Sequence, residues 1–151
     1  MFDSLLVVAG SLRNTVENGV VTGFQFQVRQ GDYRGSILSL YNGCYCCVDG
    51  VQYPRAVQRF EINGKGPRTL EELSHCRDEH WDFDDAGTVW VTKPGGLAPG
   101  HHRLDYQQSI LAAYFYMPTD EEWIRNPPEP GHGAGCGKTD YIVSFDLNLA
   151  E

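Results

Sequence analysis

The chain has 151 residues, with 12 Lys and Arg against 20 Asp and Glu, for a formal net charge of −8. Hydrophobic residues make up 41% and aromatics 12%, which excludes a disordered chain and is enough to fill one core without disulfide staples. The few cations are scattered and give no basic face, so a nucleic-acid binder is excluded and an anionic membrane surface is disfavoured. The expectation is a single domain over residues 1–151.

The opening places Asp3 where a signal peptide needs a cation, and the apolar run Leu5 to Ala9 is too short for its hydrophobic region. No stretch approaches the roughly 18 apolar residues of a membrane span. Cysteines number five, and three of them crowd into Cys44, Cys46 and Cys47, unlike an extracellular disulfide framework. These features predict a soluble, reduced, cytoplasmic protein.

Hydrophobic alternation has a period of two. Phe24, Phe26 and Val28 alternate with Gln25, Gln27 and Arg29, predicting a strand with one face buried. Asn18-Gly19, Asp49-Gly50 and Asn63-Gly64 accept positive φ and predict tight hairpins. Thr69 with Glu72 forms a capping-box pattern, predicting a helix of one or two turns from Thr69 to Leu73. Val89 and Val91 oppose Thr88, Trp90 and Thr92 on another strand. Pro94 to Gly100 reads as a longer connection, and Leu104 to Met117 as a central strand bent midway. Pro118 to Lys138 carries four of the eight prolines and shows no alternation. It reads as a long Pro/Gly-rich loop that docks, through Trp123 and Ile124, on its own domain or on a partner. Tyr141, Val143, Phe145, Leu147 and Leu149 form a last alternating strand with Ser144, Asp146 and Asn148 between them. Seven to nine short strands with one short helix predict an all-β fold, an antiparallel sandwich or jelly roll.

Candidate chemistry is sparse. Gly131 to Thr139 resembles a phosphate loop, but His132 stands where that pattern needs a glycine, and a proline-rich loop precedes it. On a strand, Cys44 and Cys46 share one face and Cys47 points away, which suits buried thiols better than a metal. His101 and His102 face opposite ways on a strand, predicting one exposed and one packed imidazole. His80 to Asp85 gathers acids around two aromatics and reads as a solvated acidic turn. The residues alone predict a β-sandwich with no catalytic residues, no metal and no cofactor of its own.

Three stretches together resemble one family. They are Tyr33-Arg-Gly-Ser-Ile-Leu-Ser-Leu40 with Val48-Asp-Gly50; Phe60-Glu-Ile-Asn-Gly-Lys65 with Thr69-Leu-Glu-Glu-Leu73; and Trp81-Asp-Phe83, Val89 to Thr92, Lys93-Pro-Gly-Gly-Leu-Ala-Pro-Gly-His101 and Tyr116-Met-Pro118. The chain to Pro118 is similar to the small (beta) subunit of bacterial C-glycoside deglycosidases, most specifically in the Lys93 to His101 stretch. It departs from the family at Cys46 and Cys47, where aliphatic residues are commoner.

The resemblance implies a non-catalytic beta subunit in a hetero-oligomer with a larger TIM-barrel alpha subunit. That subunit would carry a divalent metal, manganese, and histidine acid/base residues. The complex would be a carbon–carbon lyase that cleaves 3-oxo-C-glycosides, flavonoid C-glucosides among them, by elimination in carbohydrate metabolism. No catalytic residue transfers to this chain. Candidates for the partner interface are Tyr33, Arg34 and Gly35, then Trp81, the loop residues Pro94, Gly95, Gly96 and Leu97, and Trp123. The rival readings are a carbohydrate- or flavonoid-binding module and an assembly factor for an isomerase-like barrel.

Overall fold

Three Asx-Gly turns organise the strands. A computed structural model describes residues 5–30, 35–111, 129–130 and 142–149. In it Asn18, Asp49 and Asn63 and the glycine after each all take positive φ, between 51° and 85°. Two consecutive residues of that kind match the right-handed twist of paired strands. The turns join β1 (Arg13–Glu17) to β2 (Val20–Arg29), β4 (Tyr41–Val48) to β5 (Val51–Gln52), and β6 (Gln58–Ile62) to β7 (Lys65–Thr69).

The remaining elements are β3 (Ser36–Ile37), α1 (Leu70–Leu73), β8 (His80–Trp81), β9 (Ala86–Thr92), β10 (Gly100–Ile110) and β11 (Val143–Leu149). One sheet runs β1-β2-β9-β6-β7, a second β11-β10-β4-β5, and β3 pairs with β8 in a short ribbon. Every pairing among these strands is antiparallel. The all-β sandwich expectation holds. The strands outnumber the expected seven to nine because β3, β5 and β8 have two residues each, too few to display alternation.

The sheets face each other across one core. Phe24, Phe26, Val28, Phe60, Val89 and Val91 come from the five-stranded sheet. Cys44, Cys46, Val48, Leu104 and Tyr106 come from the four-stranded one, and Cys47 lies outside the cluster as its parity requires. Gln58 ties the layers with its amide. Its Nε2 donates to the carbonyls of Cys44 at 2.8 Å and Tyr53 at 2.9 Å, while its Oε1 accepts from Cys44 N at 3.1 Å. Gln25, expected to face water, is instead buried, hemmed in by Arg13 of β1 and Trp90 of β9.

The helix is a single turn and carries the full capping box. Glu72 N donates to Thr69 Oγ1 at 3.1 Å, and Thr69 N donates to Glu72 Oε1 at 2.9 Å. Among the described residues no helix is long and apolar enough to cross a membrane.

Candidate functional site

Tyr33, Arg34 and Trp123 lie outside the described residues, as do the phosphate-loop-like stretch and most of 118–138. Two other candidates are engaged within their own chain. Trp81 is no surface anchor: its side chain is wholly buried, edge-on to Tyr41 at 5.4 Å and tilted on Phe60 at 5.0 Å, with Nε1 donating to the Asp85 carbonyl at 2.9 Å. Gly35 does serve a close approach, but to its own chain. A Cβ there would sit 2.4 Å from the Trp81 carbonyl and 2.6 Å from His80 Cε1, so the missing side chain lets the segment before β3 lie against β8.

The loop after β9 is built more tightly than its glycines suggest. Pro94 and Gly95 are exposed, whereas Gly96 and Leu97 turn inward and offer little to a partner. Asn14 imitates a strand partner: its Nδ2 donates to the Leu97 carbonyl and its Oδ1 accepts from Leu97 N, both at 2.9 Å. Gly95 N donates to the Val21 carbonyl at 3.1 Å, and Lys93 Nζ to the Gly96 carbonyl at 3.0 Å. Beside the loop, Val16 and Val20 at the β1–β2 hairpin are 62% and 61% exposed.

His102 closes the far side of the loop. Nδ1 lies 2.5 Å from Asp49 Oδ2 and Nε2 lies 2.6 Å from the Ala98 carbonyl. Both neighbours only accept, an arrangement that favours the doubly protonated imidazole. Burial opposes that charge, but the bonds to Ala98 and Asp49 outweigh it and raise the pKa above its ordinary 6.5. Asp49 is lowered from 3.8, first by the Arg103 backbone N–H and then by His102. The histidine's contribution is complete below its ordinary pKa and is lost as pH rises through the raised one. The aspartate's is present above its ordinary pKa and is lost as pH falls through the lowered one. Replacing His102 by Gln is therefore expected to cost about 1–3 kcal/mol near neutral-to-acid pH, with the gap closing in alkali. Melting curves of both proteins across pH check this, and a gap independent of pH would contradict it.

The other histidines and acids are less constrained. His101 is exposed and pairs with Asp146 at 3.1 Å, as the strand parity requires. His80 Nδ1 meets Asp82 Oδ1 at 2.6 Å, and one carboxylate oxygen from each of Asp82, Asp84 and Asp85 lies within 4.8 Å of the others. These acids are exposed or half-buried on a turn, which by itself defines no metal site. Among the described residues the most displaced carboxyl is structural: Arg68 grips Glu79 with bonds of 2.7 and 3.0 Å and holds its pKa down to about 2. Cys46, hydrogen-bonded to Cys44 and buried, has its thiol pKa pushed well up, so it is no ready nucleophile.

A groove that the sequence did not announce opens at the edge where α1 meets β4. It measures about 480 Å³ and is lined by Ile37, Ser39, Leu40, Tyr41, Asn42 and Leu70, with Arg55, Ser74, His75, Arg77 and Leu111 around them. Ile37, Ser39 and Leu40 belong to the Tyr33 to Leu40 stretch. Tyr41 and Asn42 follow directly, and the rest arrive from three separate places in the chain, so no local motif marks the site.

Residues 2–114 match the family model described as C-glycoside deglycosidase beta subunit. A curated protein of Eubacterium cellulosolvens, described as "C-glycoside deglycosidase beta subunit", is 33% identical over 121 residues, covering 76% of this chain and 82% of that protein.

Proposed function

The chain belongs to the C-glycoside deglycosidase beta-subunit family, and from that premise we propose that it is the small, non-catalytic partner of a larger alpha subunit in a C-deglycosylating lyase. The observation that carries this reading is the extent of the family match, which runs through β1 to β10 and so takes in both sheets. The substrate class is a 3-oxo-C-glycoside, the sugar having been oxidised beforehand. The ketone acidifies the neighbouring C–H bond; the enolate formed on proton removal breaks the bond from the sugar to the aromatic carbon, leaving a carbon–carbon double bond in the sugar, and the departing aromatic carbon takes up a proton. Charge stabilisation of such an enolate would come from a divalent metal, manganese, held in the alpha subunit.

The chemistry of this chain supports a positioning role. His102 is spent on the loop, Cys46 is held neutral, and Trp81 is spent on the core. The free thiols of Cys44, Cys46, Cys47 and Cys76 suit a reducing cytoplasm. The test is co-expression with the larger subunit, followed by turnover of a 3-oxo-C-glucoside by the complex and by each chain alone. One complex, active together and with the lone small chain inert, is the expected result. Activity from the isolated chain would overturn the reading. Tight binding of a C-glucoside by a chain that forms no complex would favour a carbohydrate-binding module instead.

A further inference from the structure

Resting on that subunit reading, we propose that the groove between α1 and β4 is a docking site for the larger subunit, and that it takes a segment bearing a carboxylate next to an apolar side chain. Charge complementarity favours such an occupant. The protein is acidic overall, yet among the described residues no Asp or Glu lines the groove, while Arg55, Arg77 and His75 do. Elsewhere among the described residues the cations are engaged. Arg59, Lys65, Arg68 and Arg103 pair with carboxylates, Arg29 and Lys93 donate to carbonyls, and the Arg13 guanidinium lies 2.9 Å from the Gln25 side-chain amide. Arg55 and Arg77 make no side-chain hydrogen bond or ion pair to a described residue, and the Nε of Arg55, like that of Arg68, is buried without an acceptor. Arg55 also has its backbone N–H held by Glu129 Oε1 at 2.8 Å, so the main chain that carries the guanidinium is fixed. His75 at the rim lies 3.5 Å from the exposed Glu71, whereas neither arginine has a described carboxylate within ion-pair distance of its guanidinium.

An arginine Nε withdrawn from water with no acceptor is unfavourable in the free chain, and a carboxylate that reaches the half-buried Arg55 and the exposed Arg77 is favourable. The apolar side of the groove completes the chemistry. Ile37 is 45% exposed on a two-residue strand, and Leu40 and Leu70 stand beside it. An arginine pair beside a small apolar floor is the composition of an interface anchor pocket rather than of a solvated face.

The test uses the full chain and the larger subunit. The double variant Arg55→Gln, Arg77→Gln and the separate variant Ile37→Asn are compared with wild type in melting temperature and in Kd for the larger subunit, at low and high salt. The double variant is expected to bind at least about thirtyfold more weakly, with a flatter salt dependence and an unchanged melting temperature. Ile37→Asn is expected to weaken binding at both salt concentrations alike. Affinities within about threefold of wild type for both variants would overturn the docking site while leaving the subunit reading intact. A fall in melting temperature with unchanged affinity would overturn it too, because the groove would then be filled by the chain itself. Failure of the wild-type chain to bind the larger subunit would overturn the subunit reading, and this inference with it.

Discussion

Gly23→Ala is expected to destabilise the domain by at least about 3 kcal/mol, which for a chain of this size is a fall of roughly 6–12 °C in melting temperature. Gly23 stands in β2, paired with Thr15 of β1 and Thr92 of β9. A Cβ at that position would lie 1.8 Å from the Val91 carbonyl oxygen and 2.9 Å from Lys93 N. Both are backbone atoms in β9 or directly after it, so no rotamer change relieves the clash and the two strands must part. The damage would spread to the loop after β9, because Lys93 N and Gly95 N donate to the carbonyls of Thr22 and Val21, immediately before Gly23. Gly64→Ala is the control. Its φ is +72° but nothing lies within 4 Å of the added methyl, so its cost is the left-handed backbone penalty of about 1–2 kcal/mol. Urea or thermal unfolding of both variants decides the matter. If Gly23→Ala costs no more than Gly64→Ala, β2 and β9 do not pair in this register.

What can be read from the sequence is local. Asx-Gly pairs need positive φ at two successive residues, so the three hairpins declare themselves in six letters. The capping box at Thr69 and Glu72 is a reciprocal bond between residues three apart, and it forms as spacing predicts. Strand parity separates exposed His101 from packed His102, and it separates Cys44 and Cys46 from Cys47. What is not legible depends on pairing at a distance. β9 lies between β2 and β6, and nothing near Val89 names those neighbours. Trp81 and Gly35 read as partner contacts because an aromatic and a glycine in a family-like stretch suit an interface. They suit an internal contact equally well, and only the β3–β8 pairing decides between the two. The groove is out of reach for the same reason. Arg55 sits on one turn, Arg77 follows α1, and Ile37 occupies a strand too short to carry a period. Their common property, charge with no ion-pair partner among the described residues beside exposed apolar surface, exists only after folding.

Trp81→Ala is expected to cost the free chain about 3–5 kcal/mol, and Trp81→Phe about 1–3 kcal/mol. The larger figure combines the lost burial of an indole with a cavity walled by Tyr41 and Phe60, whose rings lie 4.5 Å apart and cannot both collapse into it. The smaller one isolates the hydrogen bond, since phenylalanine fills most of the space but leaves the Asp85 carbonyl without its 2.9 Å donor. The residue also has a route to the docking groove. Ser36 pairs with Trp81 and Ile37 with His80, so the strand that presents Ile37 is held by the one that buries Trp81. Loosening the core there should displace Ile37 and weaken binding of the larger subunit even at temperatures where the variant is folded. The order of effects distinguishes this from the role of a surface anchor. An anchor truncated at an interface loses affinity and keeps its melting temperature, whereas Trp81 variants are expected to lose melting temperature first, with any loss of affinity following from it. Melting temperature and Kd measured together on Trp81→Phe, the variant that retains the fold, make the comparison even if Trp81→Ala does not fold. An unchanged melting temperature with a collapse in affinity would mean that the indole reaches the partner after all.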